Sequence, residues 1–124
     1  MTWKKVCGLD EVAVNTAKVF EVDGTNILIV NYGEGFRAIP PVCPHMEEPL
    51  DASGIVANCV LTCSKHLWAW DLKTLELRAE AEKPLKVYET KQADGGLYVN
   101  VVEELLYDFE SEEESDDEFF FSQG

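Results

Sequence analysis

The stretch from residue 43 to residue 66, CPHMEEPLDASGIVANCVLTCSKH, contains two short motifs that each combine cysteine with histidine. The first motif is Cys43-Pro44-His45 and the second is Cys63-Ser64-Lys65-His66, and 17 residues separate them. The chain has two histidines and four cysteines, so both histidines fall within these motifs. Thiolate and imidazole groups are common ligands of zinc and iron. Metal binding is therefore the first function that the sequence predicts.

The order of the ligands within each motif distinguishes between two kinds of metal site. Zinc fingers typically place like ligands together, because one ion must draw all four donors to a single point. Here each motif pairs one cysteine with one histidine, which suits a [2Fe–2S] cluster with two cysteines on one iron and two histidines on the other. We therefore expect Cys43, His45, Cys63 and His66 to bind one [2Fe–2S] cluster. A zinc-stapled interaction module is the alternative.

Around these motifs the chain alternates short β-rich runs with turn residues. Asp23-Gly24 lies between the runs Ala17–Val22 and Thr25–Tyr32, which is a strong hairpin signal. Helical periodicity is weak, apart from a helical turn that we expect at Glu76–Glu82. The pattern predicts an all-β, antiparallel sandwich or barrel-like domain. Further strands are expected at Phe36–Ile39, Cys59–Thr62, Leu67–Asp71, Leu85–Glu89 and Leu97–Val102.

The acidic residues are concentrated at the C-terminal end of the 124-residue chain. Ten of the 24 acidic residues, and none of the ten basic ones, fall between Glu103 and Glu118. Residues 1–102 contain the remaining 14 acidic residues and all ten basic residues, so the charges of this part are nearly balanced. We therefore expect a folded domain at 1–102 and an acidic extension at 103–124 that is disordered or partly helical.

The net charge of −14 and the pI near 4.3 exclude several classes of partner. Nucleic acids and anionic membranes are bound by clustered Lys and Arg, so we expect neither as a partner. A membrane span needs about 20 apolar residues, and the apolar runs here are far shorter. Gly8, Asp10 and Glu11 occupy the place of the apolar stretch of a signal peptide. We expect a cytoplasmic protein.

With the two motifs and their spacing in place, the sequence resembles the Rieske family. That family has the same C-x-H and C-x-x-H motifs at this separation. The resemblance implies a Rieske fold, an antiparallel β-sandwich with a small cluster-binding subdomain, followed here by the acidic tail. It also places Pro84 in a third loop that shields the cluster from solvent. Outside the ligands it is carried by Glu47, Leu50, Thr62, Leu67-Trp68, Pro84-Leu85, Tyr88 and Asp94–Val99.

A finer resemblance is to the ferredoxin components of toluene and xylene monooxygenases, through Trp3–Cys7 and Ile27–Asn31. It implies a monomeric one-electron carrier, not itself an enzyme. The carrier takes electrons from a flavin-containing NADH reductase and passes them to a di-iron hydroxylase. A ferredoxin of an aromatic-ring dioxygenase is the alternative. A catalytic Rieske oxygenase is excluded within this chain, because its mononuclear iron needs two further histidines.

Residues that differ from the high-potential Rieske proteins indicate a low reduction potential. Glu48 and Lys65 stand where those proteins have an extra disulfide, and Trp68 and Trp70 stand where they have hydroxyl donors to the cluster. Fewer hydrogen bonds to cluster sulfur stabilise the reduced state less. We expect a potential of roughly −150 mV rather than +300 mV.

The remaining cysteines and the two indoles are given structural roles. We expect Cys7 and Cys59 to be buried free thiols in strands. Trp68 and Trp70 alternate with apolar neighbours along one predicted strand, so we expect both to pack in the core.

Overall fold

The computed structural model describes residues 3–44, 49–65, 67–79, 81–101 and 104–107. The regular secondary structure in this part of the chain is β-strand apart from a single short helix, so the predicted all-β class is confirmed. The elements in chain order are β1 Trp3–Gly8, β2 Thr16–Val22, β3 Thr25–Asn31, β4 Phe36–Ile39, α1 Leu50–Ser53, β5 Gly54–Ala57, β6 Val60–Cys63, β7 Trp68–Asp71, β8 Leu77–Ala79, β9 Glu89–Ala93 and β10 Gly96–Asn100.

The strands form three antiparallel sheets with the orders β1-β10-β9, β2-β3-β4 and β5-β6-β7-β8. An isolated bridge between Ala38 and Tyr88 joins the first two sheets. The third sheet carries Cys63 at the end of β6. The four-residue helix α1 leads directly into β5 of that sheet.

Strand β3 supplies two separate hydrophobic clusters because successive side chains point to opposite faces. Ile27 and Ile29 belong to the cluster that contains β10, whereas Leu28 and Val30 belong to the cluster that contains β6 and β7. All four are fully buried. A strand buried on both faces reads as a continuous apolar run, as ILIV does here. The second sheet is therefore covered by a hydrophobic cluster on each of its two faces.

Three hairpins close through two-residue turns in which both residues have positive φ. The predicted Asp23-Gly24 turn is confirmed, with φ values of 51° and 81°. Asp94-Gly95 adopts the same conformation between β9 and β10. Such turns match the twist of the flanking strands, and Gly adopts positive φ without steric penalty.

The third of these turns, Asn58-Cys59, corrects one expectation. Cys59 has φ of 61° and lies in the turn between β5 and β6, not in a strand. Its side chain is only half-buried, and its thiol lies 3.7 Å from the carbonyl oxygen of Tyr32. The expectation for Cys7 is confirmed, since it lies in β1 and is 4% exposed.

Two predicted elements are wrong. The strand expected at Leu85–Glu89 is instead a loop, because most of its residues pair with no neighbouring strand and β9 begins only at Glu89. We call residues 81–88 the third loop. The helical turn expected at Glu76–Glu82 is replaced by β8, which pairs with β7. The guanidinium of Arg78 contacts the carboxylate of Asp71 at 2.8 Å and fastens β8 to the end of β7.

The end of the chain is only partly described. Residues 104–107 lie on the folded domain without helical structure, and the expected boundary after Val102 and the tail beyond residue 107 lie outside the described residues. Within the described part of the chain, no helix has the length and apolar character needed to cross a membrane.

Candidate metal centre

The fold brings the cysteines of the two motifs into one apolar environment. Cys43 and Cys63 are both fully buried and belong to the same hydrophobic cluster. Pro44, which follows the first cysteine, is fully buried as well. The structure therefore places both predicted cysteine ligands in the same buried cluster. His45 and His66, the other half of the predicted ligand set, lie outside the described residues.

Main-chain bonds fix the segment that carries Cys43. Val42 forms an isolated antiparallel bridge with Pro49. The N–H of Leu50 donates to the carbonyl oxygen of Pro41 at 2.9 Å. The backbone on the two sides of residues 43–48 is thereby held together where α1 begins.

The segment that carries Cys63 is fixed to α1 and β5. Cys63 pairs with Gly54 across β5 and β6, and the N–H of Ser64 donates to the carbonyl oxygen of Ser53 at 2.9 Å. On the other side, the N–H of Leu67 donates to the carbonyl oxygen of Cys63 at 2.7 Å. Since α1 also anchors the first segment, this one turn of helix sets the two cysteine segments relative to each other.

Two indoles and the third loop form the apolar surroundings. Trp68 and Trp70 belong to the same cluster as the cysteines, and their rings meet edge to face with centroids 6.3 Å apart. The indole N–H of Trp70 donates to the carbonyl oxygen of Lys83 at 2.8 Å, which fixes one end of the third loop. Leu85 of that loop is buried in the cluster. The core role predicted for both indoles is confirmed.

Tyr107 lies against the third loop, although no motif in the sequence points to it. The main-chain N–H of Lys86 in that loop donates to the phenol oxygen of Tyr107 at 3.0 Å. Burial raises the pKa of the phenol to about 12, and the hydrogen bond from Lys86 opposes this increase. The contact joins residues 21 apart in sequence and depends on tertiary structure.

The donor set fits a metal centre. Two cysteine sulfur atoms, each a ligand for zinc or iron when ionised, share one apolar environment here. Cys7 lies in the other hydrophobic cluster and Cys59 in a hairpin turn, so neither belongs to this site. The two cysteines that share one buried cluster, Cys43 and Cys63, are those of the two mixed motifs.

Comparison with known proteins agrees with this architecture. The model of the Rieske [2Fe-2S] domain family matches residues 2–89. The ferredoxin of carbazole 1,9a-dioxygenase from Nocardioides aromaticivorans IC177 superposes with a TM-score of 0.69 at 25% identity, covering 80% of this chain and 97% of that one.

Two curated relatives are ferredoxin subunits of oxygenases. The methanesulfonate monooxygenase ferredoxin subunit of Methylosulfonomonas methylovora is 58% identical over 120 residues, which are 97% of this chain and 98% of the relative. The biphenyl dioxygenase ferredoxin subunit of Pseudomonas sp. (strain KKS102) is 32% identical over 71% of this chain and 82% of the relative. With its β-sheets, its co-buried cysteines and these matches, the chain belongs to the Rieske [2Fe–2S] family.

Proposed function

We propose that this chain is a one-electron carrier that delivers electrons to the terminal oxygenase of a multicomponent monooxygenase. Its proposed ligands are Cys43 and Cys63 on one iron and His45 and His66 on the other. The observation that supports this most directly is the burial of both motif cysteines in one apolar cluster. A bound [2Fe–2S] cluster supplies a site that accepts and releases a single electron.

The residues around the cysteines determine how easily such a centre is reduced. Trp68, Trp70 and Leu85 are each at most 7% exposed and keep water away from the thiolates. A dry, apolar surrounding disfavours the additional negative charge of the reduced state. This supports the low potential expected from the sequence and suits a carrier that accepts electrons from a reduced flavin.

The exposure of Leu67 supports the proposal of a docking surface beside the second motif. It directly follows the proposed ligand His66, yet its apolar side chain is 60% exposed. The core of a protein interface is more apolar than its rim, so an exposed apolar side chain beside a proposed ligand suits contact with a partner. We propose that the oxygenase covers Leu67 while it receives the electron.

The relatives support a proposal for the identity of the oxygenase. The 58% identity with the methanesulfonate monooxygenase ferredoxin subunit covers almost the full length of both chains. We therefore propose a monooxygenase that acts on a small sulfonate, supplied with electrons by a flavin-containing NADH reductase. The more specific assignment to the di-iron hydroxylase of a toluene or xylene monooxygenase receives no support from these relatives.

The proposed division of the chain is a Rieske domain at 1–102, acting as a monomer, and an acidic extension at 103–124. The family match to residues 2–89 supports the first part.

A second candidate is the ferredoxin of an aromatic-ring dioxygenase. The 32% identity with the biphenyl dioxygenase ferredoxin subunit supports it. The lower identity and the shorter aligned length make this the weaker candidate.

Reconstitution tests both candidates. The purified protein is expected to be reddish brown, to contain iron and acid-labile sulfide, and to give a paramagnetic signal after reduction with dithionite. It is then combined with NADH, a flavin reductase and either the methanesulfonate or the biphenyl oxygenase. We expect substrate-dependent NADH oxidation with the first oxygenase and little with the second. A colourless protein that contains zinc would instead support an interaction module and contradict electron transfer.

A further inference from the structure

The described end of the chain, Glu104–Tyr107, lies across the third loop, and we call these four residues the strap. The N–H of Lys86 donates to the phenol oxygen of Tyr107 at 3.0 Å. The ammonium group of Lys86 donates to the carbonyl oxygen of Leu106 and lies 5.7 Å from the centroid of the Tyr107 ring. One lysine of the loop thus contacts two consecutive residues of the strap.

The other end of the strap is fixed to the folded domain. The N–H of Leu105 donates to the phenol oxygen of Tyr88 at 2.9 Å, and the Leu105 side chain packs against the cluster that contains β10. Tyr88 is itself buried, and its N–H donates to the carbonyl oxygen of Ala38 at 2.8 Å. The strap is therefore anchored before it reaches the loop.

The third loop has anchors on both sides of Lys86. The carbonyl oxygen of Lys83 accepts the indole N–H of Trp70, and Tyr88 is bonded to Ala38. Lys86 lies between these two anchors, where its amide meets the strap. The adjacent Leu85 is buried among the residues that surround both motif cysteines. The loop residue that the strap contacts is thus the direct neighbour of a residue that lines the centre.

Tyr107 is the residue of the strap that faces the third loop. Its phenol oxygen accepts the Lys86 N–H, and burial raises the pKa of the phenol to about 12. The neighbouring Leu106 is 64% exposed, so the strap turns one side chain toward the loop and the next toward solvent.

We propose that the strap holds the third loop closed over the apolar surroundings of Cys43 and Cys63, with Tyr107 as the positioning residue. This proposal rests on the proposed ligand set. By keeping Leu85 in these surroundings, the strap excludes water from the centre and thereby slows loss of the cluster.

Substitution of Tyr107 in the full chain tests the proposal. In Tyr107→Ala the ring and the hydrogen bond to Lys86 are both lost. We expect iron to pass to an added chelator about tenfold faster, in line with the usual effect of losing a group that supports a metal ligand. We also expect a positive shift of the midpoint potential, because entering water stabilises the reduced state. Hydrogen exchange in a peptide covering residues 81–88 should be faster.

Two variants serve as controls. Leu106→Ala changes an exposed neighbour and leaves the main-chain contact with Lys86 in place. Truncation after Tyr107 removes eight of the acidic residues but retains the strap. We expect wild-type rates of cluster loss for both. Tyr107→Phe keeps the ring and removes the hydrogen-bond acceptor, so exchange at residues 81–88 should increase even if the Ala variant does not fold.

The outcomes separate this proposal from the proposed function. A wild-type rate of cluster loss and a wild-type potential in Tyr107→Ala would overturn the role of the strap while leaving the electron carrier intact. Equal exchange at residues 81–88 in Tyr107→Phe and wild type would overturn the positioning role. Absence of any cluster in the wild-type protein would instead refute the proposed function.

Discussion

Gly54 pairs with Cys63 across β5 and β6 at a position that leaves no space for a side chain. A Cβ atom on Gly54 would lie 2.5 Å from the carbonyl oxygen of Leu50 and 3.1 Å from a methyl group of Leu61. The first of these atoms belongs to the backbone of α1 and cannot move aside alone. The close approach of α1 to β5, which sets the two cysteine segments, therefore depends on glycine.

We predict that Gly54→Ala lowers the free energy of unfolding by about 1–3 kcal/mol, as overpacking typically does. Urea denaturation of the protein with its cluster measures the change. Gly8→Ala is the matched control, because a Cβ there would meet only flexible side-chain atoms of Asp10 and Glu11. Equal midpoints for the two variants would contradict the steric role of Gly54.

The four cysteines are predicted to differ in their importance for the metal centre. Cys43→Ser and Cys63→Ser should each abolish the reduced paramagnetic signal, because both side chains are buried in the site. Cys59→Ser should retain iron and sulfide at wild-type levels, since Cys59 lies in a hairpin turn. Loss of the cluster in Cys59→Ser would show that the ligands are assigned incorrectly.

The two cysteines outside the centre are predicted to differ in reactivity. Burial and the nearby Glu11 raise the pKa of the Cys7 thiol above its usual value, so the reactive thiolate is scarce at neutral pH. Cys59 is half-buried in a surface turn. Iodoacetamide should therefore modify Cys59 well before Cys7, which peptide mass spectrometry of a time course can measure. Faster labelling of Cys7 would contradict the packing of β1.

Asp71 is predicted to make stability depend on pH. The hydrogen bond from Arg78, together with the main-chain N–H groups of Thr74 and Lys73, lowers the pKa of Asp71 to about 2 from its usual 3.8. A carboxylate with a lowered folded-state pKa stabilises the protein above its unfolded pKa, and this contribution is lost as the pH falls toward 2. Asp71→Asn should therefore have a lower urea midpoint than wild type at pH 7.

The difference between Asp71→Asn and wild type should stay constant from pH 7 to pH 5 and should shrink below about pH 4. Arg78→Gln should reproduce part of the effect, because it removes the hydrogen bond that lowers the pKa of Asp71 most. A difference that grows on acidification would have the wrong sign for a lowered pKa.

Leu67 is predicted to contribute to partner docking and not to the potential. Leu67→Ser should reduce the second-order rate of electron transfer to the oxygenase, because the substitution removes an exposed apolar contact. Stopped-flow oxidation of the reduced protein measures this rate. Val14→Ser is the control, since Val14 is 59% exposed and lies in the connection between β1 and β2. Equal rates for both variants would argue against docking at Leu67.

Local sequence signals predicted the parts of the fold that short-range chemistry determines. Asp23-Gly24 identified the first hairpin because few residue pairs accept positive φ at two consecutive positions. Strand Phe36–Ile39 was predicted with the bounds that the structure has. The mixed motifs singled out Cys43 and Cys63, and both residues lie in one buried cluster.

Elements that depend on distant partners escaped prediction. Leu77–Ala79 lies in a segment of helical composition and becomes a strand only because β7 offers an edge to pair with. The segment Leu85–Glu89 is apolar enough to predict a strand, yet Tyr88 forms only an isolated bridge and regular pairing begins at Glu89. The hydrogen bond between Lys86 and Tyr107 joins residues 21 apart in sequence, and no local pattern encodes it.

The main-chain bonds that join the two cysteine segments to α1 have a consequence for electron-transfer rates. Ser64 bonds to Ser53, and Leu50 bonds to Pro41, so main-chain hydrogen bonds hold the backbone next to both proposed cysteine ligands. A preorganised environment rearranges little when charge is added. The nuclear reorganisation that accompanies each transfer is then small, and the carrier can exchange electrons rapidly with partners of nearly equal potential.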